Sequence, residues 1–141
     1  MANVIPFSFR GELFSATHDF ASGGDQFKLA LYTANPYNTS STVYNATSEV
    51  SASGTNYTTT GNTLSGNAVA YGTAVASCDF DDSTWSSATF TAAYGAIYND
   101  DESDKLCVVL DFSGNKTATN GTFKVSFPSP STPADAIISM A

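Results

Sequence analysis

The side chains in this sequence that could do chemistry are few and acidic. Asp79, Asp81 and Asp82 fall within four residues, and Asp100, Asp101, Glu102 and Asp104 form a second run. Hard oxygen ligands at such spacing could hold calcium, but neither run has the order of ligands of an EF-hand loop. Both runs read more simply as solvated turns, and no cofactor is expected. Two carboxylates are also the minimum for glycoside cleavage. Nothing in the sequence sets their separation, however, and a chain with one tryptophan and one arginine is poorly equipped to grip a sugar.

His18 beside Asp19 is the one candidate general base. Without a nucleophile motif around it, a histidine satisfied by a backbone carbonyl at a helix end is the plainer expectation. Cys78 and Cys107 belong to no CxxC pair and make no zinc site with His18 at a familiar spacing. Free cysteine is among the most buried residue types, so both are read as small core hydrophobes, a disulfide between neighbouring strands being the alternative. No GxSxG, Walker or GxGxxG motif occurs, and the chain is not expected to be an enzyme.

The aromatic residues suggest binding instead. Tyr37, Tyr44, Tyr57 and Tyr71 lie in polar surroundings. They are candidate partner-binding residues, because tyrosine and tryptophan anchor interfaces with an apolar body and a polar tip. Together with Trp85 they could also form sugar-binding platforms. The competing reading is that they pack the fold.

Composition excludes several classes. The chain has 141 residues, enough for one domain with a sizeable core. Only 13% of residues are charged, and Ser, Thr and Asn supply the polar surface. Five basic residues against 13 acidic ones give a net charge of −8. Arg10 and four scattered lysines are no electrostatic footprint for a nucleic acid or an anionic membrane, so neither partner is expected. Residues 1–14 read as neither a basic leader nor a long apolar run, so the chain is expected to be made and kept in the cytoplasm unless something larger carries it out. Asn-x-Ser/Thr triplets at Asn38, Asn45, Asn56, Asn115 and Asn120 then read as turn-rich polar sequence.

The elements that position these residues are mostly strands. Residues 8–20 are expected to form a short helix, capped by Ser8, with Phe9, Leu13, Phe14, Ala16 and Phe20 on one face. Residues 25–33 alternate as a half-buried strand, with Phe27, Leu29 and Leu31 inward. Residues 34–61 are a long irregular loop, with a helical turn at 39–44, and loops of this length are usually functional or mobile. Strands follow at 63–70 and 73–80. The stretch 77–99 forms a central hairpin, with Trp85 in a polar turn and strand composition from Thr89 to Tyr98. Residues 105–112 form an apolar run suited to the innermost strand. Ser113-Gly114-Asn115 and Asn120-Gly121 signal turns, 122–127 alternate, Pro128, Pro130 and Pro133 break the chain, and 136–140 close it as a strand. Residues 1–141 thus make a single all-β domain, an antiparallel β-sandwich or jelly-roll-like fold with a short N-terminal helix.

One resemblance spans nearly the whole chain. It runs through His18-Asp19-Phe20, Glu49-Val50, Gly54-Thr55-Asn56-Tyr57-Thr58, Gly61-Asn62-Thr63-Leu64 and the segment from Asp79 to Trp85. It continues with Ala88-Thr89-Phe90-Thr91-Ala92, Ala96-Ile97-Tyr98-Asn99, the segment from Val109 to Lys116, Asn120-Gly121-Thr122-Phe123 and Phe127-Pro128. In order and spacing this series resembles a family of small virion proteins of tailed bacteriophages. The resemblance implies a head decoration (cement) protein that binds the major capsid protein or other virion proteins, or else a tail or fibre accessory. A glycan-binding module is the alternative outside the virion. Closed symmetry would make a homo-oligomer, such as a trimer, natural. The matched residues are turn and core types, and the resemblance carries over no catalytic residue.

Overall fold

A computed structural model describes residues 3–128 and 136–140. The chain is mostly strand, arranged as two antiparallel sheets with one short helix. In chain order the elements are α1 (Phe7–Phe14), β1 (Phe27–Tyr32), β2 (Asn62–Thr63), β3 (Ala68–Tyr71), β4 (Ala76–Asp79), β5 (Ser83–Asn99), β6 (Lys105–Val125) and β7 (Ile138–Met140). The larger sheet runs β2-β1-β5-β6 and the smaller one β3-β4-β7.

Alternation along β1 decides the layering. Phe27, Leu29 and Leu31 enter the core between the sheets, where they meet Phe9, Phe20, Cys78, Phe80, Trp85 and Ile138. Ala30 and Tyr32 point to the other face, and that face is covered too, by Tyr37, Tyr98, Leu106 and Val109 with Val4 and Tyr44 at the margin. The strand expected to be half-buried is therefore buried on both sides. Ala30 is small and Tyr32 finds a hydroxyl partner in Tyr37 at 2.7 Å, so neither signals its burial by hydrophobicity alone.

The hairpin of β5 and β6 is the frame. Its tip is the acidic turn 100–104, and its register runs from Asn99↔Lys105 to Ser83↔Val125. The stretch 77–99 is not itself a hairpin: 77–79 end β4 in the small sheet, and Ser83–Asn99 is the single strand β5 of the large one, with Trp85 buried within it and not in a turn. The two turn signals in 113–121 do not reverse the chain either. Tyr94 pairs with Asp111 and Ala92 with Lys116, so residues 112–115 bulge out of one continuous strand, with Ser113 and Gly114 at positive φ. Asn120, also at positive φ, marks a second irregularity. Residues 106–110 are buried as expected of an inner strand, yet β6 is the edge of its sheet; Val4 bridges to Val109 and α1 packs nearby.

Other expected boundaries shift. The helix ends at Phe14, six residues short of the expected end at Phe20, because Ala16 takes a positive φ. Pro6, with no side-chain cap bond, occupies the position expected of Ser8. Residues 63–70 hold only the end of β2 and most of β3, with 64–67 irregular, and 39–44 contain a turn but no helix. Pro130 and Pro133 lie outside the described residues.

Candidate functional site

The loop 34–61 is the expected partner surface, and its tyrosines behave unlike exposed anchors. Glu49 gathers three donors: Tyr44 Oη at 2.6 Å, Tyr57 Oη at 2.7 Å and the Thr60 backbone N–H at 2.8 Å. Tyr57 Oη also accepts the Leu31 N–H of β1 at 3.0 Å. Tyr37 Oη accepts the Asn45 N–H at 2.9 Å, and Tyr98 donates to the Thr60 carbonyl at 2.7 Å. Burial is the first cause holding the Tyr44, Tyr57 and Tyr98 hydroxyls well above the usual tyrosine pKa. At the end of the loop Gly61 has a φ of 82°, and an added Cβ would overlap the Leu29 carbonyl. A segment whose composition reads as mobile is thus laced to the sheet by hydroxyls.

Of the four candidate tyrosines, the structure brings Tyr37, Tyr44 and Tyr57 into this one neighbourhood. Tyr37 and Tyr57 are buried and Tyr44 is half-buried. Tyr57 stacks on Trp85 at 6.1 Å between ring centres. Tyr71, at the end of β3, stands apart from the network and is 82% exposed. In the folded chain it is the one of the four with most of its ring free for a partner.

The groups with catalytic potential are sealed. Beyond α1, His18 is buried between Glu12 and Asn99 and not held by a backbone carbonyl. Asn99 Nδ2 donates to Asp25 Oδ2 at 2.8 Å and lies 3.0 Å from His18 Nδ1. An amide nitrogen only donates, so Nδ1 is the acceptor, and Nε2–H donates to Glu12 Oε2 at 2.9 Å. Cys107 Sγ is 4.0 Å from the same Nδ1. Carboxylate, imidazole and thiol thus stand in the order of an activated nucleophile. Yet Cys107 is fully buried, Nδ1 is already occupied, and burial, with Cys78, Glu12 and Asp25, raises the thiol pKa well above its usual value. What the arrangement can do is fasten the 12–25 segment to the ends of β5 and β6.

The acidic runs are dispersed among separate partners. Asp82 pairs with Lys124 at 2.7 Å and accepts the Phe127 N–H, which together lower its pKa. Asp81 accepts from Ser65 Oγ. At the hairpin tip Asp100 pairs with Lys28 at 3.0 Å and Asp101 accepts the Gln26 N–H at 2.7 Å, tying the turn to the start of β1. Among the described residues, no three His, Cys, Asp or Glu side chains converge on a metal-sized space. Cys78 and Cys107 are both free and both buried.

The four most exposed large apolar side chains sit on two elements, with Val43 in the loop, Val69 on β3 and Ile5 exposed to a lesser degree. Helix α1 exposes Phe7 and Phe14, and the small sheet exposes Tyr71 and Met140. Tyr71 pairs with Ala76 and Ala76 with Met140, so the three form a row across the sheet on one face. Two positions further along, Cys78 and Ile138 on that face are buried in the core. The row therefore continues the core face beyond the core. Sequence reading missed Phe7, Arg10 and Phe14 by placing Phe14 inward with Phe9 and Leu13. The available signal was that 7, 10, 11 and 14 share one side of a helix at 3.6 residues per turn. An open cleft of about 620 Å³ lies along β6, floored by Phe112, Phe123, Phe127 and Ile137 and edged by Lys116 and Lys124.

No helix among the described residues is long and apolar enough to cross a membrane. Comparison of the chain with protein-family models, with curated proteins and with solved structures returns no match.

Proposed function

We propose that this chain is a structural protein of a tailed-bacteriophage particle, made in the host cytoplasm and assembled into the virion. Its most specific form is a capsid decoration protein that binds the major capsid protein and stabilises the head shell. One observation carries the reading: apolar side chains are presented outward on two separate elements of a tightly tied frame, Phe7 and Phe14 on α1 and Tyr71 and Met140 on the small sheet. A subunit that joins neighbours on a lattice needs at least two such contacts. Exposed aromatics beside a rigid sheet supply them without a catalytic centre.

The sequence resemblance supports the same address. So does the sealing of His18 and Cys107, which leaves their chemistry out of reach of a substrate. Binding would stabilise the shell by mass action, since area buried at a junction favours the assembled state. The net charge of −8 suits a surface turned away from packaged DNA. A closed homo-oligomer, such as a trimer, would use one of the two patches between copies and the other on the shell.

Co-sedimentation of the full chain with separated heads and separated tails tests the reading. Saturable binding to heads is the expected result. Binding to tails alone would replace decoration by a tail or fibre accessory role, and binding to neither would overturn the virion reading.

A further inference from the structure

We propose that the outward stripe of α1 is the surface that seats this subunit in a partner protein, in an apolar groove whose rim carries a carboxylate. The inference rests on the virion reading above and names the chemistry of its contact. Phe7 and Phe14 are 60% and 95% exposed, with exposed Arg10 and Gly11 between them on the same side of the helix. The opposite side fixes the helix in place. Phe9 is buried, Leu13 packs on the core, and Glu12 is bonded to His18. Rotation cannot hide the phenylalanines without breaking these contacts.

Arg10 gives the stripe its selectivity. It is the only arginine in a chain of net charge −8. Its guanidinium carbon lies 4.6 Å from the centre of the Phe7 ring, so cation–π attraction holds the group ready on the apolar surface. Among the described residues it has no ion-pair partner. A planar guanidinium held over the Phe7 ring on an exposed apolar stripe matches a carboxylate held by two parallel hydrogen bonds. Gly11 has open space where a Cβ would stand, which lets a partner approach the helix backbone closely.

Other occupants fit less well. An anionic membrane would meet a body carrying eight net negative charges, against a single arginine. A second copy using the same stripe about a two-fold axis would bring the two Arg10 side chains towards each other.

The test measures affinity of the full chain for heads stripped of this protein, comparing wild type with Phe14→Ala, Arg10→Glu and Arg10→Lys. Phe14 and Arg10 are exposed, so the melting temperature serves as the control that each variant is folded. Phe14→Ala is expected to bind about 30-fold more weakly, the size of an interface hot spot. Arg10→Glu is expected to lose at least as much, and Arg10→Lys about tenfold, because the bidentate geometry is lost. Rising salt should weaken the wild type more than Arg10→Glu.

Variants that bind heads like the wild type would overturn the stripe and leave the virion reading standing. A wild type that binds neither heads nor tails would bring down both. A dimer in sedimentation equilibrium that Phe14→Ala abolishes would overturn the proposal in favour of a second copy. Phe14-dependent binding to phosphatidylglycerol vesicles would overturn it in favour of a lipid surface.

Discussion

The Tyr57 hydroxyl donates to Glu49 Oε1 at 2.7 Å while accepting the Leu31 N–H of β1 at 3.0 Å. This one oxygen is among the ties, with the Val50 N–H to Leu31 carbonyl bond beside it, that fix a polar loop of 28 residues, 34–61, to the central sheet. Tyr57→Phe removes both bonds, strands the buried Leu31 N–H and leaves Glu49 one donor short. The expected loss is about 1–3 kcal/mol, the cost of an unsatisfied buried group. Urea unfolding of the two proteins checks it through a lower midpoint at unchanged slope. An unchanged midpoint would mean that the loop is held by other contacts.

Asp79 has the opposite character. It is 8% exposed, and Oδ1 has no hydrogen-bond partner among the described residues. Burial is the first cause raising its pKa; the Phe80 N–H bond lowers it, and Asp81 and Asp82 raise it further. With the folded value above the unfolded value of about 3.9, the unfolded chain gives up this proton first. Stability from this site therefore falls as pH rises through the interval between the two values, and the penalty is complete above the folded value. Asp79→Asn should be more stable than the wild type at pH 7, with the gain shrinking as pH falls through that interval. Thermal melts across pH check this, and a variant less stable at pH 7 would contradict it.

The cysteines give a chemical readout of sealing. Burial pushes the Cys78 thiol up to about 12, with Asp79 adding to it, and raises Cys107 well above its ordinary value. Since the thiolate is the reactive form, neither should react with a disulfide reagent in the native state at pH 8. Both should react at once in denaturant, so a thiol count under the two conditions decides the matter. Rapid native labelling of Cys107 would reopen the carboxylate, imidazole and thiol arrangement as an active centre.

Much of the fold was legible because its signals are local. The alternation of Phe27, Leu29 and Leu31, the apolar run 105–112 and the acidic turn 100–104 gave two strands and a connection where the structure has them, whereas the hairpin expected within 77–99 is divided between β4 of one sheet and β5 of the other. The all-β sandwich with a short helix followed from these. The turns misread at Ser113-Gly114-Asn115 and Asn120-Gly121 show the limit of such signals. Glycine and asparagine mark positive φ, and positive φ serves a bulge inside a long strand as well as a reversal between two.

The candidate site was less legible. Tyr37, Tyr44 and Tyr57 look like surface residues from their neighbours in sequence. Glu49 draws in Tyr44 and Tyr57, and Tyr32, Leu31 and Trp85, brought from other parts of the chain, hold Tyr37 and Tyr57. The same dependence on distant partners placed His18 against Asn99, 81 residues away. At Phe14 the helical pattern carried the answer, but an apolar residue next to Leu13 reads inward unless the exposed Arg10 and Gly11 are weighed with it.

Electron microscopy of heads incubated with the purified full chain tests the central claim most directly. The account predicts regular added density at symmetry-related positions of the head lattice, with α1 at the contact. Heads without added density, under conditions where the chain is folded and in excess, would contradict it.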